Sequence, residues 1–198
     1  MKVCIDAGHG GTDPGAAAGK PSPLVEKDFT LALARALEAA CVGRGHRVLM
    51  TRRSDRTLSL LARAAFANRF RAEVIVSLHA NAASDPRAQG MEVFHFPGST
   101  VGARAARAVL AAMLAAFPGH TDRGVKAARF VVLRETRMPA ILVEAEFLTH
   151  PVQRRFLRRR STHRGLARAI AAGLEAALRP AARRARRSRS VRPARRRR

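Results

Sequence analysis

Lys2-Val3-Cys4-Ile5-Asp6-Ala7 runs without a break into Gly8-His9-Gly10-Gly11-Thr12-Asp13-Pro14-Gly15. The first six residues read as a buried strand, because a short apolar run against a turn signal suits a strand covered on both faces. Residues 8–19 form a glycine-rich loop, and glycine supplies backbone conformations that other residues resist. Glu26–Val42 follows with Phe29, Leu33, Ala36, Leu37 and Ala40 at helical spacing on one face, and Gly43 and Gly45 stop it. Strand, loop and helix make the first half of a parallel α/β unit.

The remaining chain repeats the alternation. Residues 46–51 read as a strand, and Ser59 caps a helix that runs through about Phe70. Residues 73–78 are a strand built on Val74, Ile75 and Val76, and residues 90–96 another. An alanine-rich helix takes 102–117, residues 129–133 and 140–143 read as two further strands, and 152–158 and 161–178 as closing helices. The expectation is an α/β fold: a single domain over residues 1–178, with a mostly parallel twisted sheet of about six strands and helices on both faces.

A chain of 198 residues with 47% hydrophobic content can bury one substantial core but not two. Its charge is far from ordinary: 38 basic against 14 acidic side chains give a formal +24, which favours anionic partners. Residues 179–198 hold 11 arginines and no acid, so the body keeps +13 without them. Beyond Pro180 this segment is Ala, Arg, Ser and Pro, with Val191 its only larger apolar residue. It cannot bury enough surface to offset the entropy of ordering, and a disordered arginine-rich tail is expected. Two cysteines, Cys4 and Cys41, imply buried free thiols rather than a disulfide framework. No apolar run is long enough to span a membrane. The chain opens on a strand with no leader-like apolar region, so the expectation is synthesis in the cytoplasm and delivery outward by another factor.

In open α/β sheets functional groups gather where strands end. Here one strand leads into His9, another into Ser77-Leu78-His79-Ala80-Asn81, and Glu26 opens the helix between them. Two imidazoles and one carboxylate are a standard catalytic zinc set, which leaves a fourth position for water. A further strand ends in Val143-Glu144-Ala145-Glu146-Phe147, and a carboxylate arriving there can take a proton from such a water. Glu146 lies two positions past Glu144. If the strand continues, the two share a face and one pKa rises; if it has ended, Glu146 faces solvent. The spacing of Gly10, Gly11 and Gly15 fits neither a P-loop nor a dinucleotide fingerprint.

The wording of these motifs goes further. Ile5-Asp6-Ala7-Gly8-His9-Gly10-Gly11-Thr12-Asp13-Pro14-Gly15-Ala16 resembles the opening of the zinc-dependent N-acetylmuramoyl-L-alanine amidases of type 3, which include cell-separation amidases, sporulation amidases and phage endolysins. The likeness continues through Glu26-Lys27-Asp28, Thr51-Arg52, residues 65–68, Ser77 to Asn81, Arg123-Gly124-Val125 and Val132-Leu133-Arg134. It ends in Met138-Pro139-Ala140-Ile141-Leu142-Val143-Glu144 and covers residues 2 to about 178. The resemblance implies hydrolysis of the amide between N-acetylmuramic acid and L-alanine in peptidoglycan, with one Zn2+ per chain. His9, Glu26 and His79 match the family's zinc ligands and Glu144 its catalytic glutamate. Asn81 and Arg134 fall in motifs beside the site, where they either orient sugar or peptide or brace the structure. His46, His95, His120, His150 and His163 match no ligand position and read as packing or surface residues.

The chain also departs from the family. The usual Glu-x-Gly-Phe followed by Ser-Asn is here Glu144-Ala145-Glu146-Phe147-Leu148-Thr149. Members that act in cell division carry an inserted segment that covers the zinc, whereas Phe96-Pro97-Gly98-Ser99-Thr100 leaves no room for one. The resemblance points to an endolysin that lyses cells at the wall or periplasm, with wall remodelling or sporulation as the alternative. The arginine tail is expected to engage lipopolysaccharide or another anionic envelope polymer. Nucleic acid is a secondary partner, weakened by the absence of the Trp and Tyr that stack on bases. A catalytically dead wall-binding module is disfavoured by the intact set of His9, Glu26, His79 and Glu144.

Overall fold

Val3, Cys4, Ile5 and Ala7 are all fully buried, which places their strand inside a sheet rather than at its edge. The computed structural model describes residues 1–178, and the tail expected over 179–198 lies outside the described residues. In chain order the elements are β1 (Lys2–Ala7), β2 (Ala17–Ala18), β3 (Leu24–Val25), α1 (Glu26–Val42), β4 (Arg47–Met50), α2 (Leu60–Phe70), β5 (Val74–Asn81), β6 (Met91–His95), α3 (Thr100–Ala116), β7 (Asp122–Ala127), α4 (Val131–Arg134), β8 (Ala140–Phe147), α5 (Pro151–Leu157) and α6 (Arg160–Leu178).

Six strands form one sheet in the order β4-β1-β5-β8-β6-β7, and β2 pairs with β3 in a small hairpin. The first four run parallel; β6 is antiparallel to β8, and β7 is parallel to β6. Helices cover both faces. Phe29, Leu33 and Leu37 of α1 share a core with Val109 and Met113 of α3 and Leu166, Ile170 and Leu174 of α6. On the other face Ala67 of α2 packs with Val132 and Leu133 of α4 over Cys4, Ile75 and Leu142. Each of the large apolar side chains contributes about 1.5–3 kcal/mol by leaving water. Ser59 caps α2 as expected, its hydroxyl accepting from the Ala62 amide at 3.2 Å.

The expected strand over 129–133 is instead a short helix. Val132 and Leu133 are adjacent yet pack into the same core cluster, whereas a strand would send them to opposite faces. The strand of this region is β7, whose polar sequence Asp122-Arg123-Gly124-Val125-Lys126-Ala127 suits a half-exposed edge position and gives no alternating signal. β5 and β8 also run past their expected ends, so His79, Asn81 and Glu144 sit within strands.

Candidate active site

A cleft of about 700 Å³ opens at the carboxyl ends of β1, β5 and β8. It is lined by residues of the β1–α1 loop and by the apolar side chains of Leu58, Leu60, Phe130 and Val131. His9, Glu26, His79 and Glu144 all line it.

His9 adopts a left-handed backbone, φ 58°, a conformation that costs a residue bearing a Cβ about 1–2 kcal/mol. The surroundings hold it there. The buried guanidinium of Arg63 donates to the carbonyls of Ala7 and His9 at 2.6 and 2.7 Å and to Asp6 at 2.9 Å. Asp6, itself buried, also accepts from Thr51 and Ser77, each at 2.7 Å. Arg52, 1% exposed, donates to the carbonyls of Ala7, Gly8 and Lys27. Two buried arginines therefore fix the carbonyls on both sides of the turn that presents His9.

The presented groups converge. His9 Nε2 lies 3.1 Å and His79 Nδ1 3.0 Å from Glu26 Oε1, and one ligand atom from each of the three residues falls within 4.8 Å of the others. Zinc bonds of about 2.0–2.2 Å at tetrahedral angles hold ligand atoms roughly 3.3–3.6 Å apart; the donors are of the right kind, and both imidazole nitrogens lie a few tenths of an ångström closer to Glu26 Oε1 than that. The outer partner fits as well: His9 Nδ1 meets Asp13 Oδ2 at 2.9 Å, the carboxylate–histidine pairing that orients metal-ligating imidazoles. Burial works to raise the pKa of Glu26, but hydrogen bonds from His79 and His9 and from the Ala16 amide outweigh it and hold the carboxyl well below the usual range.

Glu144 stands next to His79 on one side and Glu92 on the other in strand register. Its Oε2 is shut off from solvent, and among the described residues it has no hydrogen-bond partner. Burial, then the charges of Glu26 and Glu92, push its pKa well above the ordinary glutamate value. A destabilised carboxylate beside a donor set of the kind that suits a cation is placed to accept a proton.

Glu146 follows neither sequence expectation. The β5–β8 register shifts between His79 and Asn81, which pair with Glu144 and Phe147, so β8 holds an extra residue there. That bulge turns Glu146 to the face opposite Glu144. Glu146 is fully buried, accepting from the amides of Gly90 and Phe147 and pairing with His120 at 2.8 Å.

Asn81 lines the cleft, and its amide nitrogen donates to Glu92 at 2.7 Å. Arg134 is half exposed, pairs with its neighbour Glu135 at 2.7 Å and is not among the cleft-lining residues. The single turn of α4 carries it outward, away from the buried Val132 and Leu133. The other histidines have partners elsewhere: His46 meets Glu175, His95 the Phe96 carbonyl, and His163 the Leu157 carbonyl, while His150 caps α5. Burial raises the thiols of Cys4 and Cys41 to about 12 and about 11, so neither is a nucleophile at neutral pH. Asp13 and Arg63 were not singled out from the sequence. Asp13 four residues after His9 was a usable signal; Arg63, distant in sequence on another helix, was not.

Comparison with known proteins agrees with this architecture. The family described as N-acetylmuramoyl-L-alanine amidase matches residues 3–176. The N-acetylmuramoyl-L-alanine amidase CwlM of Bacillus licheniformis is 36% identical over 176 residues, covering 88% of this chain and 67% of the relative. The sporulation-specific N-acetylmuramoyl-L-alanine amidase of Bacillus subtilis is 35% identical, with 89% and 68% covered. The structure of the amidase AmiC2 of Nostoc punctiforme superposes with a TM-score of 0.84 at 35% identity, over 90% of this chain and 97% of that one. With fold, sequence and cleft in agreement, the chain belongs to the N-acetylmuramoyl-L-alanine amidase family and is a peptidoglycan amidase.

Proposed function

We propose that this amidase is zinc-dependent, with His9, Glu26 and His79 as its metal ligands and Glu144 as its general base. The observation that carries the proposal is the convergence of three ligand atoms within 4.8 Å in the same cleft as an unpartnered Glu144 Oε2. Zinc held there supplies Lewis acidity, which polarises a carbonyl and lowers the pKa of water to about 7. The chain's own part is to move the proton. Glu144 accepts it from the attacking water and returns it to the departing nitrogen of L-alanine, while Asn81, tied to Glu92, holds the adjoining wall. Digestion of purified peptidoglycan should release new L-alanine amino termini, stop with chelator and resume on adding zinc. New reducing sugar ends, or activity indifferent to chelator, would refute the proposal.

The cleft needs no uncovering. Only residues 96–99 separate β6 from α3, too few to fold over the metal set. The purified protein alone should therefore be fully active, and a large rate increase on adding a partner protein would count against this. An uncovered site suits lysis by an endolysin-type enzyme acting at the wall or periplasm. The names of a sporulation-specific amidase and of a probable cell wall amidase among the relatives carry the second reading, wall remodelling or sporulation.

The arginines of 179–198 are proposed to bind an anionic envelope polymer such as lipopolysaccharide, with nucleic acid the secondary candidate. Their attachment point supports a role apart from catalysis. Near the end of α6, Glu175 meets His46 at 3.0 Å and the Ala177 carbonyl accepts from Arg104; His46 precedes β4 and α3 follows the antiparallel β6, so this is the end of the sheet opposite the cleft. Truncation after Leu178 should leave hydrolysis of purified peptidoglycan within about twofold and weaken lysis of whole Gram-negative cells, most visibly at low salt. Equal loss in both assays would tie the tail to the active site. Unchanged whole-cell lysis with lost DNA binding would assign it to nucleic acid.

A further inference from the structure

Two arginines line the cleft. Arg63 is spent on Asp6, Ala7 and His9. Arg129 is not: among the described residues no carboxylate or carbonyl pairs with it, and its guanidinium carbon lies over the Phe96 ring, 5.7 Å from the centroid. Of the neighbouring cations, Arg123 and Lys126 share Glu92, and Arg134 pairs with Glu135. A guanidinium resting on an aromatic face keeps its N–H edges free for planar, two-point pairing with a carboxylate. The rest of the cleft repels such a group, because Asp13, Glu26 and Glu144 also line it. Among the described residues no ion pair or hydrogen bond joins Arg129 to Glu144, so Arg129 is no partner of the base.

Resting on the amidase reading, we propose that Arg129 forms a carboxylate subsite that takes the α-carboxylate of the second stem-peptide residue. In peptidoglycan that residue is D-glutamate linked through its γ-carboxyl, so its α-carboxylate is the first anion past the scissile amide on the peptide side. A cleft of about 700 Å³ has room for the lactyl group and two residues. Acid at the metal set and a cation on the α4 side then orient the peptide. In walls where the α-carboxylate is amidated, the subsite has no charge to hold.

The test uses the full chain and soluble glycan strands whose stems are L-Ala-D-Glu or L-Ala-D-isoglutamine, each with its γ-carboxyl capped as the methylamide so that only the α-position differs in charge. Wild type should prefer the acid in kcat/KM by roughly five- to tenfold, mostly through KM. Arg129→Gln should lose that preference by slowing on the acid strand alone, with unchanged thermal stability because the residue is exposed. Arg129→Lys, which keeps the charge but not the fork, should restore part of it. Equal cleavage of both strands by wild type, or equal slowing on both by Arg129→Gln, would overturn the subsite. Slowing confined to longer stems that carry isoglutamine would assign the carboxylate to a later residue and overturn the second-residue assignment. Wild type that cuts neither strand would instead refute the amidase reading.

Discussion

Glu144→Gln is expected to cut turnover by about 10³-fold or more while leaving the bound zinc in place. The amide keeps the shape of the side chain but cannot take a proton, and Glu144 is outside the three-residue ligand set. Metal content and rate should therefore separate. The same substitution should stabilise the metal-free protein. The carboxyl of Glu144 is held above its ordinary value of 4.5, so the folded state keeps a proton that the unfolded state releases. Stability of the metal-free wild type consequently falls as pH rises above about 4.5, whereas the amide has no proton to lose. In chelator, melting curves should coincide near pH 4, and by pH 7 the variant should melt roughly 3–9 °C higher. Near-normal turnover would sink the assignment of the base, and coincident melting at pH 7 would show that Glu144 is not strained. Glu146 offers no replacement base, since its bonds to Gly90, Phe147 and His120 engage both oxygens on the far face of β8.

What the sequence made legible follows from which physical signals are local. β1, α1 and α2 announce themselves by apolar period and by caps such as Ser59, and the described structure places them within a residue of expectation. β7 was hidden because an edge strand need not alternate, and residues 129–133 misled because β-branched and aromatic residues also suit a short buried turn. The convergence of His9, Glu26 and His79 was legible because each donor lies near a strand end or opens a helix beside a distinctive turn. The bulge that sends Glu146 away from Glu144 was not, since it arises from pairing between β5 and β8 and has no marker within β8. The same holds for Arg63 and Arg129. One is consumed by Asp6 and the His9 turn and the other left free, a difference set wholly by tertiary neighbours.

His79→Ala should lose both zinc and activity, because three ligands are the minimum for a catalytic site with one open position. A sharper version leaves all three ligands in the chain. A Cβ placed on Gly8 would lie 2.4 Å from His79 Cε1 and 2.6 Å from its Nε2, closer than such atoms approach. The backbone of Gly8 lies outside the left-handed region, so alanine costs nothing there except that collision. The imidazole must swing aside, and in doing so it leaves Glu26 Oε1, now 3.0 Å away. Gly8→Ala should therefore behave like a ligand deletion, with zinc affinity down more than the roughly 10–100-fold that loss of an outer partner costs. Activity should fall with it, and far-ultraviolet circular dichroism should stay unchanged. Gly98→Ala is the matched control: φ is +81° but nothing lies within 4 Å of the added carbon. It should cost about 1 kcal/mol of stability from backbone strain and leave zinc untouched. Metal analysis after gel filtration decides between outcomes. One zinc per chain in Gly8→Ala, held as tightly as in wild type, would mean that the ring of His79 is free to move and does not hold the metal.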